Sequence, residues 1–417
     1  MLRDTLDLMH FLPFLLAASL AVAQPVPFAE AVKLVKSGSP KAREVLDAQK
    51  VKDGKAWLGE GPDFLFAVAV ESKIKPQLIV DEGSPMPMSR AGELWYATAK
   101  LGVGRSHNFS YLIDGKPFGG VESIPAFTPW SYAKPGVPEG KLDGKHVHAS
   151  QIYPGMKSDY WIYVPAQYDA ARPAAVMIWQ DGEVLVERER SRNQIVFDNL
   201  SHEKKIPVVI HILISPGIID GKERMRSIEY DTMDDRYARF LRDEMMPEVA
   251  KKYNLRTDAY SRAIAGDSSG GICAFNAAYR RPELFSRVLS RIGSFTSIQW
   301  KPGVIDGGNL YPFLIRKDTK MNIRVWLQDG SNDLENNHGS WPLQNIAMAN
   351  SLKMMEYDFH LSWGNGSHSR NGGHTGLADE MMWLWRDYDP GRTEQTFTME
   401  AAEKAKPMFR VRTLNRE

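Results

Sequence analysis

At 417 residues the chain is long enough for two or three domains and a large buried core. Its 52 basic and 51 acidic side chains leave a formal net charge of +1, and 43% hydrophobic with 25% charged residues is the composition of an ordinary globular protein. No dense Lys/Arg block interleaved with aromatics occurs, so no nucleic-acid partner is expected.

Met1 to Ala23 combines Arg3, an apolar run from Phe11 to Leu20 and Ala21-Val22-Ala23 before Gln24, the layout of a cleavable secretory signal. That run is too short to span a bilayer and no other is long enough, so no integral membrane segment is expected after cleavage. The single cysteine, Cys273, rules out an intrachain disulfide. An exported protein without one fits a bacterial secreted or periplasmic setting.

Residues 24 to about 55 carry a helix signal from Pro27 to Lys36 and no functional motif. From Pro62 the period changes. Phe64–Val68, Gln77–Val80, Leu94–Ala97 and His107–Ile113 are short β-rich runs separated by Gly, Pro, Ser and Asp, the pattern of a small β-sandwich. Asp114-Gly115 is a good hairpin turn. Between Ile124 and Asp143, four prolines with glycines nearby resist both helix and ladder, which sets a boundary: residues 24–135 as an N-terminal segment and sandwich of immunoglobulin-like type, 136–417 as a second domain.

In the second domain, strand-like runs alternate with helical ones: Tyr160–Val164, Ala174–Trp179, Pro207–Ile214, Arg262–Ala265, Ile323–Leu327 and Tyr357–Trp363. Among the helical ones, Tyr237, Leu241, Met245 and Val249 form one apolar stripe. Alternation of this kind predicts a mostly parallel sheet covered by helices on both faces, an α/β fold.

The strand Arg262–Ala265 runs into Gly266-Asp267-Ser268-Ser269-Gly270-Gly271 and then into a strong helix start. A G-x-S-x-G sequence counts when it stands between a strand and a helix, because the sharp turn exposes the serine and small neighbours let strand and helix approach. Ser268 is therefore the expected nucleophile, and the N–H of Ser269, at the helix N-terminus, an expected oxyanion donor. Cys273, inside the helix, reads as a small buried hydrophobe.

In this arrangement the acid and then the base follow the serine along the chain. The strand Ile323–Leu327 ends in a carboxylate-rich loop holding Asp329, Asp333 and Glu335. Strand C-terminal ends are where α/β sites are built, and Asp333 is preferred, Asp329 reading as a cap of the Asp329-Gly330 turn. Four histidines follow Ser268. His338 is expected to be exposed and His360, inside a strand run, to be packed. His368 and His374 both lie in glycine-rich loops and both remain open as the base; His368 is favoured because it lies closer to its strand end.

The segments Ala265-Gly266-Asp267-Ser268-Ser269-Gly270-Gly271, Gly330-Ser331-Asn332-Asp333 and Gly366-Ser367-His368 resemble the esterase branch of the α/β hydrolases, which includes enterochelin esterases, feruloyl esterases and, more distantly, mycolyl transferases. The resemblance covers about residues 145 to 390 and implies the α/β-hydrolase fold. It places the nucleophile on Ser268, the acid on Asp333 and the base on His368. This chain has Gly-Ser-His where the family commonly has Gly-Gly-His, and Gly372-Gly373-His374 supplies the commoner form six residues later. The layout, a β-sandwich ahead of the hydrolase, is similar to that of enterochelin esterases. The resemblance also implies a second oxyanion donor after the third strand, the backbone of Gln180 or Asp181.

The expected activity is carboxylic-ester hydrolysis through an acyl-enzyme, on small-molecule or carbohydrate-linked esters with aromatic-acyl or siderophore-type groups, without cofactor or metal. Arg226, Tyr230, Trp341 and His374 are candidate pocket residues. Rival readings on the same scaffold are a sugar lactonase, an acyltransferase and a glycan- or siderophore-binding protein without turnover.

Overall fold

The computed structural model describes residues 26–219 and 223–410. The expected signal, Met1 to Ala23, lies outside them. Among the described residues no helix is long and apolar enough to cross a membrane.

The N-terminal part begins with three short helices, Phe28–Lys36, Lys41–Val45 and Ala48–Lys52. Two four-stranded antiparallel sheets follow, built from the expected strands and four short or edge partners. Alternation drives their packing. Phe64, Phe66 and Val68 turn inward to meet Leu78, Phe109 and Tyr111 of the other sheet, while Leu65 and Ala67 between them face the helices, where Val35, Leu46 and Val51 cover them. The strand Arg105–Ile113 turns into Lys116–Ala126 through Asp114 and Gly115, both at positive φ (50° and 78°), so the two-residue turn expected there is present. The ladder continues two residues into the proline-rich segment, to Ala126, and pairing resumes at Lys141.

The second part is a ten-stranded mixed sheet. Its main strands are β1 (Lys141–Ala149), β2 (Met156–Val164), β3 (Ala175–Gln180), β4 (Val209–Ile214), β5 (Arg262–Asp267), β6 (Arg287–Arg291), β7 (Arg324–Asn332) and β8 (Asp358–Ser367). They lie in the order β1-β2-β4-β3-β5-β6-β7-β8, with Ile218–Ile219 and Glu223–Arg224 added beside the start of β2. β1, β2 and β4 pair antiparallel, and every neighbour from β4 onward is parallel. Two cores flank it. Val176, Ile178, Ile212 and Ile264 face one, with the helix Ser269–Arg280 and the helical run Arg236–Ala250; Met177, Trp179, Leu213 and Ala265 face the other, with Asn193–His202 and Arg370–Leu384. The stripe Tyr237, Leu241, Met245, Val249 is buried as expected, along a run whose middle turn, Leu241–Met245, is π-helical.

β1 and β6 have no counterpart among the expected strands. β6 reads Arg-Val-Leu-Ser-Arg, too polar at its ends to suggest a central strand, yet it is buried throughout. Arg287 lies over the rings of Tyr260, Trp385 and Phe397, and Arg291 pairs with buried Glu380. Partners supplied from distant segments make the burial of these charges tolerable.

Candidate active site

β5 delivers Ser268 at its C-terminal end, and the helix Ser269–Arg280 starts immediately after it. The turn between them is sharp. Ser268 has φ +59° and ψ −122°, a conformation a non-glycine residue holds only where its surroundings enforce it. Enforcement is visible in the backbone: the Ser268 N–H donates to Arg291 O at 2.9 Å, and its carbonyl accepts from Gly271 and Ser294 N–H at 2.9 and 3.1 Å. A Cβ on Gly266 would fall 2.4 Å from the Gly270 carbonyl, so this close approach requires glycine.

β7 and β8 deliver the partners. Asn332 and Ser367 are register partners, and the next residue on each strand is Asp333 or His368. The ladder thus sets the carboxylate and the imidazole side by side. His368 Nδ1 lies 2.5 Å from Asp333 Oδ1 and His368 Nε2 lies 2.8 Å from Ser268 Oγ. The Asp333 side chain is fully buried and that of His368 is 21% exposed. An ionised carboxylate only accepts, so Nδ1 carries the proton and Nε2 is left to accept from the Ser268 hydroxyl. A row ordered this way can draw the proton from the serine oxygen as that oxygen attacks a carbonyl.

The remaining candidates separate. Asp329 is buried and its Oδ1 accepts from the Gly330 N–H at 2.7 Å, the cap expected of it. Burial, followed by the neighbouring Asp333 carboxyl, pushes the Asp329 carboxyl well above the ordinary range. Glu335 is exposed. His360 stacks on Trp326 at 4.1 Å, and burial lowers its pKa. His338 is half-buried, not exposed, and its carbonyl accepts from Ser297.

Three pocket expectations need correction. Tyr230 is buried, with its hydroxyl accepting from the Asp181 N–H at 3.2 Å. Trp341 is also buried; its indole N–H donates to Ser294 Oγ at 3.1 Å and its ring stands edge-on to His368 at 5.6 Å. His374 lies inside the helix Arg370–Leu384, buried beside Asp267, with Nε2 3.8 Å from Asp267 Oδ2, while the imidazole hydrogen-bonded to Ser268 Oγ is that of His368. Burial was not legible for any of them, since an aromatic or histidine beside a glycine looks the same in sequence whether it lines a cleft or lies beneath it.

Of the expected oxyanion groups, Ser269 N–H opens the helix and has no intrahelical acceptor. Gln180 ends β3 against the same helix turn, its Cβ 3.0 Å from where a Gly270 Cβ would stand. The Asp181 N–H is already committed to Tyr230, which corrects its assignment. The Asp181 side chain instead anchors a bidentate pair with Arg226, both bonds 2.7 Å.

Above Ser268 lies a cleft of about 600 Å³ lined by Glu183, Arg224, Arg226, Ile292, His368 and Arg370. Arg224 and Arg370 were missed in sequence; Arg370 stands two residues past His368, a spacing that could have suggested it. Beneath the cleft, Asp267 faces Arg370 at 3.5 Å and Arg291 at 3.6 Å. Burial alone would raise its carboxyl, but His374, Arg291 and Arg370 outweigh that and hold it down at about 2.

A strained serine at the end of the fifth strand, an acid after the seventh and a histidine after the eighth of a mixed sheet ordered 1-2-4-3-5-6-7-8 define an α/β hydrolase. A family model described as "Putative esterase" matches residues 153–380, more than half of the chain, and the chain belongs to that family. The iron(III) enterobactin esterase of Dickeya dadantii (strain 3937) is 26% identical over 253 residues, 55% of this chain and 52% of that protein. The chain thus spans about half the length of the curated relative it matches. Among solved structures, the enterobactin esterase of Shigella flexneri aligns with a TM-score of 0.54 at 18% identity, covering 84% of this chain and 99% of that one. The ferric enterobactin esterase of Salmonella typhimurium gives 0.51 at 15%, covering 79% and 96%. At such identities the two structures speak for the fold.

Proposed function

We propose that the chain hydrolyses carboxylic esters through a Ser268–His368–Asp333 triad and an acyl-enzyme. The observation that carries this is the single imidazole bridging Ser268 Oγ at 2.8 Å and Asp333 at 2.5 Å. His368 Nε2 takes the Ser268 proton as Oγ attacks the ester carbonyl, and Asp333 fixes the tautomer and stabilises the imidazolium. The N–H groups of Ser269 and Gln180 receive the oxyanion, His368 protonates the leaving alcohol, and water then releases the acid.

Three guanidinium groups stand around the cleft, each paired with Asp181, Glu183 or Asp267, and their remaining N–H groups are the donors that an ester bearing acidic or catechol-like oxygens would use. The Shigella flexneri relative is described with enterobactin and with 2,3-di-hydroxy-N-benzoyl-serine, so an aromatic-acyl or siderophore-type ester is the substrate class proposed here. Carbohydrate-linked esters, sugar lactones and transfer to an alcohol acceptor use the same chemistry, and an acceptor-partition assay separates transfer from hydrolysis. We read residues 24–135 as an immunoglobulin-like unit that shapes the cleft, residues 136–417 as the catalytic unit, and the setting as secreted or periplasmic. Replacing Ser268 with Ala is expected to abolish turnover of aryl acetates; turnover at the wild-type rate would overturn the proposal.

A further inference from the structure

The chain leaving β6 brings a second hydroxyl to the nucleophile. After Arg291 it passes through Ile292, at φ +43°, and Gly293 to Ser294, which is 1% exposed. Two bonds fix this segment: Ser294 N–H donates to the Ser268 carbonyl at 3.1 Å, and Asn345 Nδ2 donates to the Gly293 carbonyl at 3.0 Å. Ser294 Oγ then lies 3.2 Å from Ser268 Oγ and 3.1 Å from Trp341 Nε1.

The donors in this group can be ordered without seeing a hydrogen. An indole N–H only donates, so Ser294 Oγ accepts from Trp341 and keeps its own proton to give. Ser268 Oγ gives its proton to His368 Nε2, because His368 Nδ1 is engaged by the Asp333 carboxylate. The bonds therefore run in one direction: Trp341 N–H to Ser294, Ser294 O–H to Ser268, Ser268 O–H to His368, His368 N–H to Asp333.

We propose that Ser294 is a fourth catalytic residue, an assignment that rests on the ester-hydrolase reading above: its hydroxyl, turned by the Trp341 indole, donates to the Ser268 oxygen and holds it on the line to His368. As His368 takes the Ser268 proton and the bond from Oγ to the acyl carbon forms, negative charge develops on Oγ, and a donor aimed there strengthens with that charge. The same donor meets Oγ again when the acyl bond breaks and His368 returns the proton. Ser294 keeps its own proton throughout. A purely structural hydroxyl, present only to satisfy the buried Trp341 N–H, would affect stability and leave the rate alone.

The test compares Ser294→Ala, Ser294→Thr, Trp341→Phe and the double variant Ser294→Ala/Trp341→Phe, reading kcat and KM on an aryl acetate and the rate of fluorophosphonate labelling. Ser294→Ala is expected to lower kcat and the labelling rate together by about tenfold, the worth of one hydrogen bond, with KM little changed, and Ser294→Thr to recover most of the loss. Trp341→Phe is expected to lose less, since the Ser294 hydroxyl remains. The double variant leaves no unpaired indole N–H, so it keeps the question answerable if the single variant folds poorly; it should be as slow as Ser294→Ala. Wild-type kcat and labelling rate in a folded Ser294→Ala or double variant would overturn the proposal. Ser268→Ala run alongside separates the two readings: if it turns over the ester, the nucleophile assignment fails, whereas an inert Ser268→Ala beside a full-rate Ser294→Ala removes Ser294 alone.

Discussion

Asp329 and Asp333 stand four residues apart on one loop, and both are buried. Burial and the neighbouring Asp333 carboxyl raise the Asp329 carboxyl, which accepts from Asn345 Nδ2 and from Gly330 N–H, both at 2.7 Å. Asp333 Oδ2 is buried and has no hydrogen-bond partner among the described residues, and a proton on the raised Asp329 carboxyl would supply it a donor. Asp329→Asn, which keeps an N–H donor, is expected to hold kcat within about threefold; Asp329→Leu, which leaves Asp333 half unpaired, is expected to lower kcat by about ten- to a hundredfold. Steady-state kinetics of the pair checks this. At this scale Ser268, Asp333 and His368 were legible because each has a motif and a place in chain order. Ser294 was not, because a lone serine after an unrecognised strand carries no signal, and its role depends on Trp341, 47 residues on.

The element that matters most is the β7–β8 pair. Its register carries Asn332 opposite Ser367 and so delivers Asp333 and His368 together. The strands approach so closely that a Cβ on Gly330 would lie 2.4 Å from Gly366 N. Gly330→Ala is therefore expected to part the two strand ends and lower kcat by about a hundredfold, the scale of a misplacement near 1 Å, with circular dichroism showing a folded chain. Six of the sheet's main strands were legible from β-rich alternation with helices, and the Asp114-Gly115 hairpin from its turn residues. β6 was not, because Arg287 and Arg291 mask it; only the aromatic rings and Glu380 brought from elsewhere make those arginines compatible with a core. A one-dimensional pattern cannot register partners that arrive from other segments.

Across the whole molecule, one of the two N-terminal sheets leans on the element that follows His368. Asn371 Nδ2 donates to Ser123 O at 2.9 Å, and the helix Arg370–Leu384 packs on the strands Arg105–Ile113 and Lys116–Ala126. Burial also raises other acids. Burial raises Glu229 from 4.5 to about 8, with Gly217 N–H as partner to one oxygen only, and raises Asp231 to about 6. Because the folded pKa exceeds the unfolded one, the native state binds more protons than the unfolded chain between about 4.5 and 8, so the contribution of Glu229 is full below that window and is lost as pH rises through it. The slope approaches ~1.4 kcal/mol per pH unit for one such group. Denaturant melts from pH 5 to 8 are expected to show declining stability, and Glu229→Gln to flatten the decline; an unchanged slope in that variant would remove Glu229 as its source. The central claim is the Ser268–His368–Asp333 assignment, and it is tested most directly by labelling the intact protein with a fluorophosphonate and mapping the adduct by mass spectrometry. The adduct is predicted on Ser268, lost in His368→Ala and kept in His374→Ala; an adduct on another residue, or one that depends on His374 and not on His368, would contradict the account.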